Sequence, residues 1–331
     1  MSFAQSTFNA NFFTHFEATD DQLASTDDVS WGESALFISG NVSPKLSYLA
    51  EASYLAPAYR DKAFKLERIQ LRYEINREHA FSLGKIHTPV NDWNDSFHHG
   101  RIFFPTINRP LAFKRFIPVH EIGARLSGQN ILGGEFGYDI VVGSGQSAGD
   151  EAFLNGIKSQ TYTLRWHPLD SANLLFSYYR DELTAGDAAE RSGIMNTSGR
   201  GDSQTADGAV SKVEYELFSL SATRDVGNWS VRLELSKNRT ENGQFNDASF
   251  LYTGYHFDDT HTLYGLYDEV NVKAKEAFFK SGIERRFGLG YRHYFSVNAS
   301  VKIEARRHVI RTPGAGTFED NELQMQLAFG F

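Results

Sequence analysis

Apolar residues recur at every second position along almost the whole chain. In Leu323-Gln324-Met325-Gln326-Leu327-Ala328-Phe329-Gly330-Phe331, large apolar side chains alternate with small or polar ones. A period of two puts one set of side chains on each face of a strand. The same pattern predicts sixteen strands, at 7–18, 30–41, 45–55, 62–75, 80–86, 120–127, 135–145, 159–167, 172–182, 212–224, 229–239, 248–257, 261–270, 285–297, 299–311 and 320–331. On the fourth, Ile69, Leu71, Tyr73 and Ile75 alternate with Arg68, Gln70, Arg72 and Glu74. On the fifteenth, Val301, Ile303 and Ala305 alternate with Lys302, Glu304 and Arg306. No stretch of about 20 apolar residues occurs, so no membrane helix is predicted.

A strand that is greasy on one face fits many β proteins, but the turns narrow the choice. Connections after even-numbered strands are short, as at 41–44, 76–78, 168–170, 225–228 and 258–260. Those after odd-numbered strands are mostly longer and rich in Gly, Asp and Ser, with the link at 57–61 as the one exception. A soluble sandwich has no reason to sort its loops this way. An outer-membrane barrel does, with short inner turns, long outer loops and an even strand number. Lipid offers no partner to backbone N–H and C=O groups, so the sheet must close on itself. The expected fold is all-β: a closed antiparallel transmembrane β-barrel of about sixteen strands, with residues 1–331 as one domain.

If the apolar stripe meets hydrocarbon, the charged stripe lines the interior. A basic residue on the lipid face at mid-membrane costs roughly 2–4 kcal/mol, so several there are not tolerated. The expected lumen-wall charges are Arg68, Arg72, Glu74, Glu121, Arg125, Arg165, Arg232, Glu234, Arg292, Lys302, Glu304 and Arg306. Further carboxylates expected to meet the wall arginines are Glu17, Glu51, Glu135, Asp139, Glu214 and Glu216. Around sixteen strands enclose an aqueous channel rather than a filled core. Trp31, Tyr54, Trp166, Tyr178, Trp229, Tyr255 and Tyr264 lie nearer strand ends, where interfacial aromatic girdles belong.

Composition excludes several other classes. A mean hydropathy of −0.41 beside 14% aromatic residues suits a barrel, because half of each crossing is polar. A net charge of −8 argues against nucleic-acid binding. No Pro/Gly/Ser-rich hinge or composition shift marks a second domain, and eight prolines are few for a soluble β-sandwich of this size. The absence of cysteine fits a compartment where stray disulfides are a hazard. No signal peptide precedes the first strand, and Met1-Ser2-Phe3 reads as an engineered start on a mature sequence, so that absence says little about export.

Alternation stops at 87–118. An aperiodic connection of about 30 residues is uncommon and usually functional. Its aromatics and prolines predict an ordered fold, inside the lumen. Between Lys85 and Arg115 stand five Lys/Arg, three His and two Asp, so this part of an acidic protein is basic. Charged side chains at a constriction select ions. The candidates are Lys85, His98, His99, Arg101, Arg109, Lys114 and Arg115, with anion preference as the expected result. The same charges could instead sit on a solvated cap or pair with wall carboxylates. The polar stretch 183–209 is expected to be a long outer loop.

Other signals carry little chemistry. Adjacent His98 and His99 point apart on an extended chain, so no metal site is expected. Gly143-Ser144-Gly145 with Gly149 lacks the Lys and helix of a phosphate loop. Asp258-Asp259 and Asp187 to Glu190 lack calcium-loop spacing. Gly145-Gln146-Ser147-Ala148-Gly149 has the spacing of a Gly-x-Ser-x-Gly elbow but sits in a Gly/Ser-rich loop with no following helix, so neither catalytic residues nor a cofactor are expected. A passive channel is the leading reading. An outer-membrane lipid hydrolase and a surface-binding barrel are the alternatives.

With its terminal Phe331, sixteen strands and long connection after the fifth, the chain resembles the Gram-negative outer-membrane porins. Gly84-Lys85-Ile86-His87-Thr88-Pro89 through Trp93-Asn94, His98-His99-Gly100 and Asn108-Arg109-Pro110 are also similar to a segment of porins distantly related to the phosphate-selective group, without the lysine-rich ladder of a phosphate pore. The resemblance implies a passive diffusion channel for small hydrophilic or anionic solutes. It implies a homotrimer in the outer membrane, among lipid and lipopolysaccharide. It also implies a loop folded into the pore and a C-terminal Phe331 read by the barrel-assembly machinery.

Overall fold

The computed structural model describes residues 8–21, 26–55, 64–97, 100–145, 156–183, 213–240, 244–273, 279 and 281–331. Sixteen strands form one closed antiparallel barrel. They are β1 Phe8–Asp21, β2 Thr26–Ser43, β3 Leu46–Leu55, β4 Phe64–Glu74, β5 His79–His87, β6 His120–Ile131, β7 Phe136–Gly143 and β8 Ser159–Leu169. The second half comprises β9 Ala172–Leu183, β10 Val213–Val226, β11 Trp229–Thr240, β12 Phe245–His256, β13 His261–Val272, β14 Gly282–Ser296, β15 Ala299–Thr312 and β16 Gly316–Gly330. Each pairs with its sequence neighbour, and β1 pairs with β16. Closure extends to the last residue, where Phe12 and Phe331 exchange both backbone hydrogen bonds at 2.9 and 2.8 Å. All sixteen predicted strands are present, with ends displaced by no more than four residues.

The two faces follow the alternation. Ile69, Leu71 and Tyr73 are exposed on the outside, as are Leu323 and Met325. Lys302 and Glu304 point inward and are fully buried, with Arg306 beside them. One break is informative. The β3–β4 register shifts between Glu51 and Ala52, so Glu67 is an extra residue. This bulge resets the pleat. Leu66 and Ile69 both face out, while Glu67 and Arg68 both face in.

At one end the strands are joined by short links throughout. A representative turn follows β12, where Asp258 Oδ1 accepts from the Thr260 amide at 2.8 Å, its hydroxyl at 2.7 Å and the His261 amide at 2.8 Å. Those hydrogen bonds, the Thr260 hydroxyl first, hold the Asp258 carboxyl below its usual range. At the other end the expected contrast is weaker than alternation suggested. Links 22–25, 241–244 and 313–315 are also short, because their flanking strands run past the apolar stretch. Residues 56–63 and 184–212, which hold the 57–61 link and most of the 183–209 loop, lie outside the described residues, as do Met1-Ser2-Phe3 and Gly149.

Three expected orientations are corrected. Tyr264 is not a girdle residue: it faces inward, fully buried, and its hydroxyl donates to Glu304 at 2.9 Å. Glu214 and Glu216 are not lumen carboxylates. Their neighbours Tyr215 and Leu217 take the inward positions at zero exposure, which turns both glutamates outward. The cause is the segment 87–118, which needs an apolar inner wall to lie against. Trp31, Trp166 and Trp229 are outward and exposed, as girdle residues should be.

Candidate functional site

The aperiodic segment leaves the wall where the β4–β5 ladder ends, at Ile69 opposite Lys85. Register puts Lys85 with the outward set, opposite Ile122 as well. Its Nζ donates to the Leu66 carbonyl at 2.7 Å. Lys85 therefore bridges the split between β4 and β5 instead of facing the channel. Thr88 and Val119 close the neck through a backbone bond of 3.2 Å. Asn94 Nδ2 reinforces it by donating to the Thr88 carbonyl at 2.8 Å.

Inside, the chain forms α1 Asp92–Ser96, a 3-10 turn at Arg101–Phe103 and α2 Leu111–Arg115. Asn91 caps α1 from a left-handed φ of 59°, its side chain accepting from the Asn94 amide at 2.8 Å. A buried irregular segment must find partners for its backbone groups. Here the wall supplies them. The Asp92 amide donates to Ser221 Oγ at 2.9 Å, and the Trp93 amide to Glu234 at 3.2 Å. The Ile107 amide donates to Glu304 at 3.3 Å, and the Leu111 amide to Asp268 at 2.8 Å. Tyr215 and Tyr294 hydroxyls donate to the Phe116 and Ile102 carbonyls at 2.7 and 3.1 Å. Trp93, Phe104, Leu111, Phe113 and Phe116 pack with Tyr179, Tyr215, Leu217, Phe250 and Tyr252 in one buried cluster. The segment thus lies inside the barrel, against the β9–β16 side.

Most charges here are held by named partners. Asp95 meets Arg165 at 2.6 Å and Arg125 at 3.6 Å, and Arg125 also meets Asp139 at 2.7 Å. Asp92 meets Arg232 at 3.6 Å. Arg115 pairs with Glu284, which His308 also contacts at 3.0 Å. Lys302 donates to the Arg101 carbonyl and to Gln326 Oε1, the latter at 3.1 Å. Arg306 meets Glu322 at 2.6 Å, and Arg292 donates to Thr262 at 3.3 Å. Glu121 accepts from Ser159, while Arg72 and Glu74 take inward register positions nearer the turn end.

Two of the sequence candidates stand together. The Arg109 guanidinium lies over the rings of Phe104 and Phe113, at 5.6 and 4.7 Å, and Arg101 lies over Phe104 at 4.8 Å. Glu33, Glu51 and Glu67 of β2–β4 are close enough to act on Arg109 electrostatically. Arg68 pairs with Glu51, and Ser53 donates to Glu67 at 2.7 Å. His98, His99 and the Lys114 side chain lie outside the described residues. Sequence reasoning missed Glu33, Glu67, Asp92, Asp95, Glu284 and His308 as members of this network. Only Glu67 left a signal, since the adjacent charges Glu67-Arg68 interrupt the alternation as a bulge does.

No family model matches the chain, and no curated protein sequence matches it. Solved structures do. The anion-selective porin from Comamonas acidovorans superposes with a TM-score of 0.70 at 11% identity, covering 99% of this chain and 100% of that one. The outer membrane channel DcaP of Acinetobacter baumannii gives 0.68 at 9%, covering 98% and 97%. In-vitro folded OmpT of Vibrio cholerae, in its trimer form, gives 0.65 at 13%, covering 98% and 99%. At such identities the likeness speaks for the fold, which is that of a Gram-negative outer-membrane porin.

Proposed function

We propose that this chain is a passive diffusion channel of the Gram-negative outer membrane, passing small hydrophilic solutes or ions without catalytic turnover. The observation that carries the reading is an ordered segment, 87–118, held inside a barrel whose inner wall is charged and whose outer wall is greasy. Lumen charges replace part of the hydration that a solute gives up on entry. The segment acts as the constriction, and Arg101 and Arg109 give it an anion preference. Arg115 and Lys302 hold the segment in place, because their charges are spent on Glu284, Gln326 and the Arg101 carbonyl. One neighbour of the same fold is an anion-selective porin, and another is described in a trimer form. We extend both properties to this chain, as a homotrimer. Phe331 lies on the outer face at the turn end, 71% exposed, where an assembly receptor can reach it.

Planar-bilayer recording tests the channel. Stepwise conductance is expected, and its absence from folded protein overturns the reading, while hydrolysis of lipid by the purified barrel would favour an enzyme. Reversal potential under a KCl gradient tests the preference. Replacing Arg101 and Arg109 by Ala should move the anion-to-cation permeability ratio toward cations by several-fold. A ratio that does not move removes the anion assignment and leaves the channel standing.

A further inference from the structure

We propose that the outer wall of β9–β12 carries a binding site for one lipid with a phosphorylated headgroup. The inference rests on the outer-membrane reading and is independent of conductance. A groove of about 690 Å³ runs across this face, with Phe176, Phe218, Leu220 and Leu235 among its lining residues and Lys237 and Asp247 at its upper rim. That is a volume typical of small-molecule sites. Its floor is apolar, so it suits an acyl chain.

The rim supplies the headgroup chemistry. Asp247 sits between two lysines, Lys237 at 3.5 Å and Lys273 at 3.1 Å. Glu269 also lines the groove and is paired with Arg285, so Lys237, Lys273 and Arg285 against Asp247 and Glu269 leave a net charge of +1, and each ammonium carries three donors of which Asp247 can occupy only part. The Lys237 side chain, which lines the groove, is 65% exposed, and that of Lys273, on the other side of Asp247, is 39% exposed. An acyl chain in the groove would bring a headgroup phosphate level with them. The sector is distinctive: at the first outward positions above the apolar belt, Arg180, Glu216, Lys237, Glu269 and Arg285 follow one another on β9, β10, β11, β13 and β14. The outward row of β3, from Tyr48 through Ala50 and Ala52 to Tyr54, has no charge at all. A second copy of this chain docked on β9–β12 would have to desolvate the charged rim, which disfavours it as occupant.

Native mass spectrometry of the intact barrel in neutral detergent tests the site. The probes are bisphosphorylated lipid A, the same lipid after phosphate removal, phosphatidylcholine and inorganic phosphate. One bisphosphorylated lipid A should be retained, and the K237Q/K273Q double variant should retain it at least about tenfold less well, as expected for lost hydrogen bonds to a charged group. A second variant, Leu220→Trp, fills the groove floor and should lower retention with the rim intact. Unchanged retention in both variants overturns the proposal, provided each shows the wild-type thermal transition. Equal retention of the dephosphorylated lipid or phosphatidylcholine also overturns it. Displacement by millimolar inorganic phosphate would show an ion site without a lipid, and doubled protein masses lost on L220W would assign the groove to another copy. Conductance in the same preparation keeps failure of this site distinguishable from failure of the channel.

Discussion

Single residues carry the sidedness of this barrel. Ile303 is 42% exposed on the outer face, while its neighbours Lys302 and Glu304 have no exposure. A charge placed at Ile303 would meet hydrocarbon. Ile303→Arg is therefore expected to cost about 2–4 kcal/mol in reversible unfolding from lipid vesicles. Gln324→Lys, on the inward face of β16 and only partly buried, should stay within about 1 kcal/mol of wild type. Equal costs at the two sites would show that the faces have been assigned wrongly. Lys302 tests the interior in another way. It holds the Arg101 carbonyl and Gln326, so Lys302→Met leaves polar partners without it, at a cost of about 1–3 kcal/mol. Open-channel current noise should rise in the same variant, because the turn at Arg101–Phe103 loses its tether.

At the scale of elements, the strands were legible and the segment between β5 and β6 was not. Alternation locates a strand because each side chain answers to one of two solvents. It finds β9 and β15 to within one residue. It fails on the upper half of β10, where Tyr215 and Leu217 face inward. There the inner neighbour is another piece of protein, so both faces are partly apolar and the period loses its meaning. The path of 87–118 is set by wall contacts more than 80 positions away in sequence, such as Asn91 to Ser177 and Trp93 to Glu234. No local pattern encodes them. The presence of an ordered inward segment could still be read from Trp93, Phe104 and Phe116, which have no use in a solvated loop. Arg115 is the anchor of α2, through Glu284. Arg115→Ala should leave the barrel folded and make single channels flicker between conductance levels. A steady trace identical to wild type would mean that the apolar cluster alone fixes the segment.

The whole molecule presents two unlike outer sectors. Across β2–β4 the described outward residues run Leu36, Ile38, Tyr48, Ala50, Ala52, Leu66, Ile69 and Leu71, all uncharged. Across β9–β14 the belt is capped by charge, with Arg180–Glu214 at 3.2 Å and Lys237–Asp247 at 3.5 Å among the pairs. A lipid leaflet is apolar below and charged above, so the second sector matches it. The first matches a surface that stays apolar over its full height, and another barrel offers one. Large uncharged patches of this kind mark contacts between proteins, and repeating one such contact around a rotation axis closes a ring. The chain has no cysteine, so one introduced thiol reports only its own position. Ala52→Cys with a short bismaleimide linker should yield species of two and three copies, if small residues at the centre of β3 let the neighbouring wall approach. Leu235→Cys, beneath the charged rim of β11, should yield single chains. The opposite result would place the partner barrel on the charged sector and lipid on the bare one, and the proposed lipid site would fall with it.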